Sequence, residues 1–436
     1  MERLKRLPLW GVYALLAYMP FSLFFSRWLS LYTGGLGPWD ASKDILTLLL
    51  LFVAVVLATQ KRLLKDTPSR LLFAVLGLYF CLHLLFILIN RNLDTRAAIV
   101  GTLYNGRVLA YFFIGLVTMK VYGQKILPTA TKIVLVASTI TCLFAIIQYV
   151  APSNLMNRFG YSVERGAKPS FFIDDKPDFP RVMSTVRDPN SYGAYLIVPL
   201  ALSGLYVLTS QNKKRKLCAG GLALLHAWAL FLTFSRGAWI GAMVAGAIVV
   251  FYVYRTRLKK ITIRFWPLII VVCLLIAGLT FQFRNQYVFQ NVFLHKDQKT
   301  VLTDPNELRI QLQKSTATAI IKHPEGHGPG TAGLASIGSS LGALLTENYY
   351  LQIAYEVGIL GLLAFLFVLA YAYLKVRAAE QGNLQISLLA AFWAYLFIST
   401  LIHLWSNEAV AAQWWLLSGL VAANAAKLPK PGRKSA

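Results

Sequence analysis

The chain has 436 residues, of which 57% are hydrophobic and only 14% are charged. This composition excludes an ordinary soluble domain, in which roughly 25% of the residues are charged. The net charge of +25 would suit nucleic acid, but the way in which the charges are distributed along the chain makes a nucleic-acid partner improbable.

Twelve apolar runs predict membrane-spanning helices, because a helix needs about 20 mainly apolar residues to cross the bilayer core. They cover residues 9–26, 45–59, 71–90, 108–123, 133–151, 192–209, 217–234, 238–254, 265–283, 349–374, 384–402 and 409–426. We therefore expect an all-α polytopic membrane protein with a single integral membrane domain over residues 1–436. The first span is expected to be a signal anchor, since no small-residue cleavage site follows it.

The basic residues indicate the topology. If both termini lie on one side, the tails and the short loops of that side hold 25 of the 43 basic residues but only 3 of the 18 acidic ones. By the positive-inside rule, both termini and these loops are expected in the cytoplasm. The four cysteines fall in or beside apolar runs and suggest neither a disulfide framework nor a metal site.

Two connections on the other side are long, residues 152–191 and 284–348. Loops of this length without spans of their own usually carry function. The first ends in a turn signal at residues 185–190, which contains Arg187. Arg187 is a candidate ligand for an anionic substrate, and an interfacial arginine paired with Asp188 is the alternative.

The outer connection between the seventh and eighth spans is very short, and Arg236 is its sole charged residue. An arginine held at the membrane boundary is costly unless an anion or a dipole compensates its charge. We interpret Arg236 as functional. The alternative is contact with lipid headgroups, beside Trp239 in the aromatic belt.

The second long loop predicts a helix, with Asp304 as its cap, Pro305 at its first position and an end near Lys322. Four side chains would share one stripe of this helix: Leu308, Leu312, Ser315 and Ala319. Arg309 would lie beside that stripe. An amphipathic helix on the outer surface would hold Arg309 over the membrane, and a solvated arginine is the alternative.

The stretch that follows this helix is rich in glycine and histidine. The backbone amides around Gly328 could hold a phosphate, although a flexible hinge is the simpler interpretation. His323 and His327 are four residues apart, but Pro324 and Gly326 between them spoil the geometry of a helical metal pair. No metal and no cofactor is expected.

Glu347 and Asn348 precede the tenth span, where water meets hydrocarbon. A carboxylate in that position suits a general base acting on a hydroxyl group, and the alternative is a simple helix-cap pair. Glu356 lies about two turns deeper and could form hydrogen bonds between spans.

Taken together and in order, these motifs resemble the O-antigen ligase and O-antigen polymerase superfamily of bacterial membrane glycan enzymes. The stretches that carry the resemblance are residues 187–190, 234–239, Arg309 with 320–328, 347–352 and 356–362. Each motif is weak alone, but their ordered combination with twelve spans is fairly specific. The resemblance is strongest over residues 230–365.

The resemblance implies an inverting, metal-independent transferase of cell-envelope polysaccharide, such as lipopolysaccharide, on the outer face of the bacterial cytoplasmic membrane. Its donor would be an undecaprenyl-diphosphate-linked glycan, and its acceptor a glycan, a lipid or a protein. Arg236 and Arg309 would hold the diphosphate. Glu347 stands where the family commonly has a histidine, so it is the expected base, with His323 or His327 in reserve.

Two other functions remain open from the sequence. One is a twelve-span transporter of a solute or a lipid-linked glycan. Scarce ionisable groups in mid-span, no obvious broken helix and no clear repeat argue against it. The other is a non-catalytic assembly partner that kept the fold and lost the family histidine.

Overall fold

The structure is a computed structural model that describes residues 6–35, 37–61, 63, 67–90, 92–173, 176–255, 282, 305–337, 339–340 and 342–424. Apart from residue 282, the ninth predicted span lies outside these ranges, as does the predicted cap Asp304.

The first half of the chain is built from long helices. Their bounds are α1 Leu7–Tyr18, a 3-10 turn Met19–Phe21, α2 Ser22–Thr33, α3 Gly37–Gln60, α4 Thr67–Ile89, α5 Thr95–Tyr122, α6 Ile126–Val150, a 3-10 turn Leu155–Phe159, α7 Pro189–Tyr195, α8 Ile197–Thr209, α9 Lys213–Leu232 and α10 Arg236–Arg255.

The second half contains α11 Pro305–Lys322, a 3-10 turn Gly333–Ser336, α12 Tyr349–Ala378, α13 Asn383–Ile398, a 3-10 turn Leu404–Ser406, α14 Glu408–Ala411, a π turn Ala412–Leu416 and α15 Leu417–Ala422. The helix predicted after Asp304 is therefore present and ends at Lys322.

Within the described ranges, nine helical segments are long and apolar enough to cross a membrane. They coincide with the first eight predicted spans and with the tenth. The eleventh predicted span is the shorter apolar helix α13, and the twelfth is divided into α14, the π turn and α15. The all-α polytopic class is confirmed.

One small hairpin interrupts the helical pattern, in the first long outer loop. Strand β1, Phe171–Ile173, pairs antiparallel with β2, Lys176–Arg181, and a register shift separates Phe172 from Ile173. Directly after β2, the amide of Val182 donates a hydrogen bond to the carbonyl of Leu232 at 3.1 Å. This bond ties the first outer loop to the end of α9.

Loops from distant parts of the chain meet on one face of the bundle, called here the basic face. It comprises residues 61 and 63 and the loops 123–125, 210–212 and 379–382. The side chain of Gln124 bonds to Glu380 at 3.2 Å, and Asn383 Nδ2 donates to Thr209 Oγ1 at 3.0 Å. These contacts show that the helix ends adjoining the predicted basic loops lie together.

The other helix ends meet on the opposite face, called here the site face. Asp94 caps α5 and also accepts a hydrogen bond from the amide of Ser340 at 2.9 Å. The amides of Ser340 and Ala97 lower the pKa of the Asp94 carboxyl. Tyr349 donates its amide hydrogen to Ser399 at 2.8 Å. Both predicted long outer loops end on this face.

Two glycines let the central helices approach each other closely. A Cβ atom on Gly115 of α5 would overlap the carbonyl oxygen of Leu416, and one on Gly419 of α15 would overlap the carbonyl oxygen of Phe112. Small residues at such crossings permit backbone contact between membrane helices. Helix α5 is therefore deeply buried and supports the elements around it.

Helix α12 is broken at Val357 and Gly358, which have non-helical backbone angles. In a straight helix Tyr349 and Phe365 would lie about 24 Å apart, but their ring centroids are 5.4 Å apart. The first two turns therefore fold back on the rest of the helix. The sequence analysis found no obvious broken helix, and the break at Val357 and Gly358 shows that this interpretation was wrong.

The stripe predicted for α11 is also corrected. Leu308 is 48% exposed, whereas Thr316 and Ile320 are buried. The inward face carries Arg309, Gln313, Thr316 and Ile320, which is the neighbouring stripe of the helix. This face packs against α12 and the adjoining loops, where its polar side chains find hydrogen-bond partners. The apolar periodicity alone therefore predicted the wrong inward face.

Gly358 is predicted to be irreplaceable at the break. Its φ of 74° and ψ of 179° belong to a region that is essentially restricted to glycine, and a Cβ atom would overlap the carbonyl of Glu325. We expect Gly358→Ala to destabilise the protein by at least about 1–3 kcal/mol, seen as a lower midpoint of thermal unfolding in detergent.

The matched control is Gly220→Ala, since a Cβ atom at this position of α9 meets nothing within 4 Å. Alanine in a helix interior is more favourable than glycine by up to about 1 kcal/mol. Equal midpoints for the two variants would contradict the proposed constraint at Gly358.

Candidate active site

An ion pair joins two of the predicted site residues across the second outer loop. Arg309 Nη2 lies 3.2 Å from Glu347 Oε2. The two side chains are 32% and 30% exposed, respectively, so both are accessible from water on the site face. The structure thus brings Arg309 of α11 to the residue that precedes the cap of α12.

Gln313 lies one turn after Arg309 and connects this pair to a third segment. Its Nε2 donates hydrogen bonds to the carbonyl oxygens of Glu347 at 3.0 Å and Thr400 at 3.1 Å. The loop 399–407 therefore lies next to the Arg309–Glu347 ion pair.

The backbone next to Arg236 also lies close to the loop 399–407. A Cβ atom on the adjacent Gly237 would lie 3.1 Å from Cδ1 of Leu401, the residue after Thr400. Arg236 is half-buried at the start of α10. Trp239, predicted as its aromatic-belt neighbour, stacks on Phe231 with a centroid distance of 5.6 Å.

Asn348 has a structural role at the start of α12. Its Oδ1 accepts hydrogen bonds from the amides of Tyr350 at 3.0 Å and Leu351 at 3.1 Å. This is the N-cap arrangement that satisfies otherwise unpaired amides at a helix start. The helix-cap alternative therefore describes Asn348, and its cap orients the residue before it, Glu347.

Backbone strain is concentrated beside the candidate residues. Among the described non-glycine residues, positive φ angles occur at Ser184 (53°), Phe234 (47°) and Glu347 (50°). Ser184 is three residues before Arg187, and Phe234 is two before Arg236. Such conformations cost roughly 1–3 kcal/mol each and persist where the surrounding structure imposes them, often at functional sites. The strain therefore supports the choice of these three positions.

Arg187 is half-buried in a charged environment. Burial by itself acts to lower its pKa, but Tyr104, Glu408 and Asp188 outweigh that effect, so the pKa of the guanidinium is raised. Its Nε is buried without a hydrogen-bond partner. Asp188 also caps α7 by accepting from the amide of Ser191 at 2.9 Å, so it is not committed to Arg187 alone.

Sequence reasoning missed the ionic cluster beneath Arg187. Arg107 lies 3.8 Å from Asp44 and 3.6 Å from Glu408, and its guanidinium stacks on Tyr104 at 4.4 Å. The predicted spans began at residues 45, 108 and 409, each directly after one of these charged residues. Each of these predicted spans begins one residue after a charged residue, and a charge within a membrane helix is the signal that could have identified the cluster.

His403 was missed as well. Its Nδ1 lies 2.8 Å from Gln352 Oε1, and its Nε2 is buried without a hydrogen-bond partner. It belongs to the loop 399–407, which also contacts Gln313. A histidine at the end of an apolar run was the available signal.

The glycine-rich stretch uses its amides internally. Gly328 donates its amide hydrogen to the carbonyl of Glu356, and His327 donates to that of Tyr355, both at 2.8 Å. The amide of Gly328 is therefore engaged and does not point at a phosphate. This contact corrects the expected phosphate-binding role of Gly328, because the broken helix exposes carbonyls that compete for the same amides.

The side chain of Glu356 holds the same stretch. Its Oε1 accepts from the amides of Gly330 at 2.9 Å and Ala332 at 3.3 Å, and its Oε2 accepts from Asn105 Nδ2 at 2.6 Å. Glu356 is fully buried. It therefore acts as the structural hydrogen-bonding residue that the sequence allowed.

The two reserve histidines lie at the far end of α11. At 1.5 Å per residue, Arg309 and Lys322 are about 20 Å apart along the helix. His323 bonds Glu325 at 3.1 Å, and His327 stacks on Tyr355 at 3.9 Å. Burial lowers the pKa of His327, which favours its neutral ring. Neither histidine is placed next to Glu347.

No group of three or more His, Cys, Asp or Glu side chains in the described part of the chain could hold a metal ion. Arg309, Arg236 and Arg187 are three of the described cationic groups on the site face. Guanidinium groups bind phosphate in a bidentate manner, so the arrangement suits a phosphorylated ligand.

Comparison with known proteins gives two matches. Residues 221–366 match the family model described as O-Antigen ligase, a range that includes Arg236, Arg309 and Glu347. A relative named O-antigen polymerase, from Salmonella muenchen, is 23% identical over 397 residues, which cover 88% of this chain and 96% of the relative.

The fold and these matches define a multi-pass membrane protein that handles glycans. Both matches support the resemblance to the O-antigen ligase and O-antigen polymerase superfamily, and with it a multi-pass protein of the bacterial inner membrane. The resemblance carried by the sequence motifs is confirmed.

Glu356→Ala tests whether the buried Glu356 carboxylate holds the glycine-rich stretch in place beside the candidate site. It would leave the buried donors of Gly330, Ala332 and Asn105 without their acceptor, at about 1–3 kcal/mol for each unsatisfied group. We expect a clearly lower thermal midpoint and faster proteolysis within residues 326–333.

The control for this prediction is Glu380→Ala, which removes one exposed bond to Gln124 on the basic face. It should change the midpoint very little, because exposed interactions contribute little to stability. If the two variants had the same stability and the same protease sensitivity, Glu356 would not be the residue that holds the glycine-rich stretch in place.

Proposed function

We propose that the protein transfers a glycan from an undecaprenyl-diphosphate-linked donor to an acceptor hydroxyl at the outer face of the cytoplasmic membrane. The reaction inverts the anomeric centre and needs no metal ion. The observation that carries the proposal is the accessible Arg309–Glu347 pair on the site face, with the backbone beside Arg236 at the same loop.

In this mechanism, the diphosphate binds between Arg236 and Arg309. Glu347 takes the proton of the acceptor hydroxyl, whose oxygen forms a bond to the anomeric carbon. The bond from that carbon to the diphosphate oxygen breaks, and its electron pair leaves with the diphosphate. Guanidinium groups stabilise the charge that develops on the leaving group. A single displacement of this kind inverts the configuration.

The ion pair suggests how donor binding prepares the base. Arg309 and Glu347 are partners in the structure, and a diphosphate is a stronger, bidentate partner for a guanidinium. Arg309 exchanges Glu347 for the diphosphate, which frees the carboxylate beside the reacting carbon. The strained backbone of Glu347 and the cap at Asn348 keep it there.

The same chemistry serves a ligase and a polymerase, and the reaction product distinguishes them. A polymerase lengthens a lipid-linked glycan by repeat units, whereas a ligase moves a finished glycan to another acceptor. Deleting the gene would leave single repeat units in the first case and an intact lipid-linked polymer in the second.

The arginine role is tested by Arg309→Ala, with glycan transfer measured in vitro using purified protein and a lipid-diphosphate donor. Loss of a donor that stabilises developing charge lowers kcat by about 100-fold or more, and Arg236→Ala should behave alike. Lys314→Ala is the control, because Lys314 is an exposed cation of the same helix. Near-normal rates in both arginine variants would remove the mechanism.

The base is tested by Glu347→Gln, which keeps the size of the side chain and its acceptor for Arg309 but cannot take a proton. We expect kcat to fall by about 10²–10⁴-fold with little change in KM for the donor. Glu307→Gln, on the exposed side of α11, is the control.

Undiminished kcat in Glu347→Gln would assign proton transfer to another group. Donor binding without any turnover in the unaltered protein would instead support the non-catalytic assembly partner. Counterflow of a lipid-linked glycan in proteoliposomes, with no new glycosidic bond, would support the transporter.

A further inference from the structure

A groove far from the site face opens between α6, α8 and α9. It has a volume of about 410 Å³ and is lined by Pro128, Lys132, Val136, Ile140, Tyr206 and Leu222, among others. This volume lies within the roughly 300–1,000 Å³ of small-molecule pockets. Its walls are mainly apolar, as a hydrocarbon chain requires.

The groove spans one leaflet of the membrane. From Pro128 to Ile140 it follows α6 for about 18 Å, at 1.5 Å per residue, which is close to half of a hydrocarbon core about 30 Å thick. Pro128 lies in the first turn of α6 and Tyr206 in the last turn of α8. Both turns adjoin the basic face.

Cationic groups mark that same end of the groove. Lys132 lines it and is exposed. Arg215 lies at the start of α9, the helix that contributes Leu222 to the lining. No acidic residue is among the described residues that line the groove. An anionic headgroup would therefore meet two positive charges and a phenolic hydroxyl where the apolar walls end.

We propose that this groove binds one anionic phospholipid from the leaflet on the basic face. Its acyl chain lies along Val136 and Ile140, and its phosphate lies between Lys132 and Arg215. The charge at the groove's end favours an anionic lipid over a zwitterionic lipid or a detergent. Because Lys132 and Arg215 lie on the face opposite the candidate active site, the proposal is independent of the proposed reaction.

The test uses the full-length protein in a neutral detergent, titrated with phosphatidylglycerol or phosphatidylcholine of equal chain length and followed by native mass spectrometry. One tightly bound phosphatidylglycerol is expected, with weaker binding of phosphatidylcholine. A juxtamembrane cation contributes enough that Lys132→Ala or Arg215→Ala should weaken binding by about fivefold. Lys213→Ala, at the first residue of α9 and outside the groove, should leave binding unchanged.

The apolar wall is tested separately. Val136→Trp fills the groove and should abolish the tight site, whereas Leu143→Trp, also exposed on α6 but outside the lining, should leave it intact. Equal affinity for the two lipids, or unchanged affinity in Lys132→Ala and Arg215→Ala, would overturn the proposal.

A second outcome would also overturn it. If the variant Val136→Cys formed cross-links with residues 265–283 in place of binding lipid, the chain itself would occupy the groove.

Discussion

The buried carboxylate of Glu356 is the contact on which the site face depends. It holds the amides of Gly330 and Ala332 and the side chain of Asn105 directly before helix α12 breaks. The break at Gly358 folds the first turns of α12 back, and the backbone that follows α11 packs into the space that it leaves. One buried acid and one glycine therefore set where α11 lies and which face it presents.

The candidate site is assembled from segments that meet at the loop 399–407. Gln313 binds this loop and the carbonyl of Glu347, and Gly237 approaches Leu401. Glu347 is held in a left-handed conformation, as are residues shortly before Arg236 and Arg187. Such geometry is maintained only by rigid surroundings, and rigid placement of charge is what the proposed mechanism of glycan transfer requires.

Below this loop, the helices carry more charge than an apolar span normally tolerates. Arg107 is paired with both Asp44 and Glu408, and Glu408 also accepts from Ser22 Oγ at 3.4 Å. Breaking a buried pair of this kind leaves an uncompensated charge and is strongly destabilising. The cluster therefore anchors α3, α5 and α14 to one another under Arg187.

The sequence by itself determined the polytopic helical class, the resemblance to the superfamily and the helix from Pro305 to Lys322, and it predicted Arg236, Arg309 and Glu347 as site residues. Apolar length, turn residues and motif order are local properties, which a chain displays without folding. Only the tertiary structure decided that Arg309 pairs with Glu347, that His323 and His327 lie away from that pair, and that the amide of Gly328 is engaged. Those outcomes depend on a helix break and on hydrogen bonds between residues far apart in the chain, which no periodicity records.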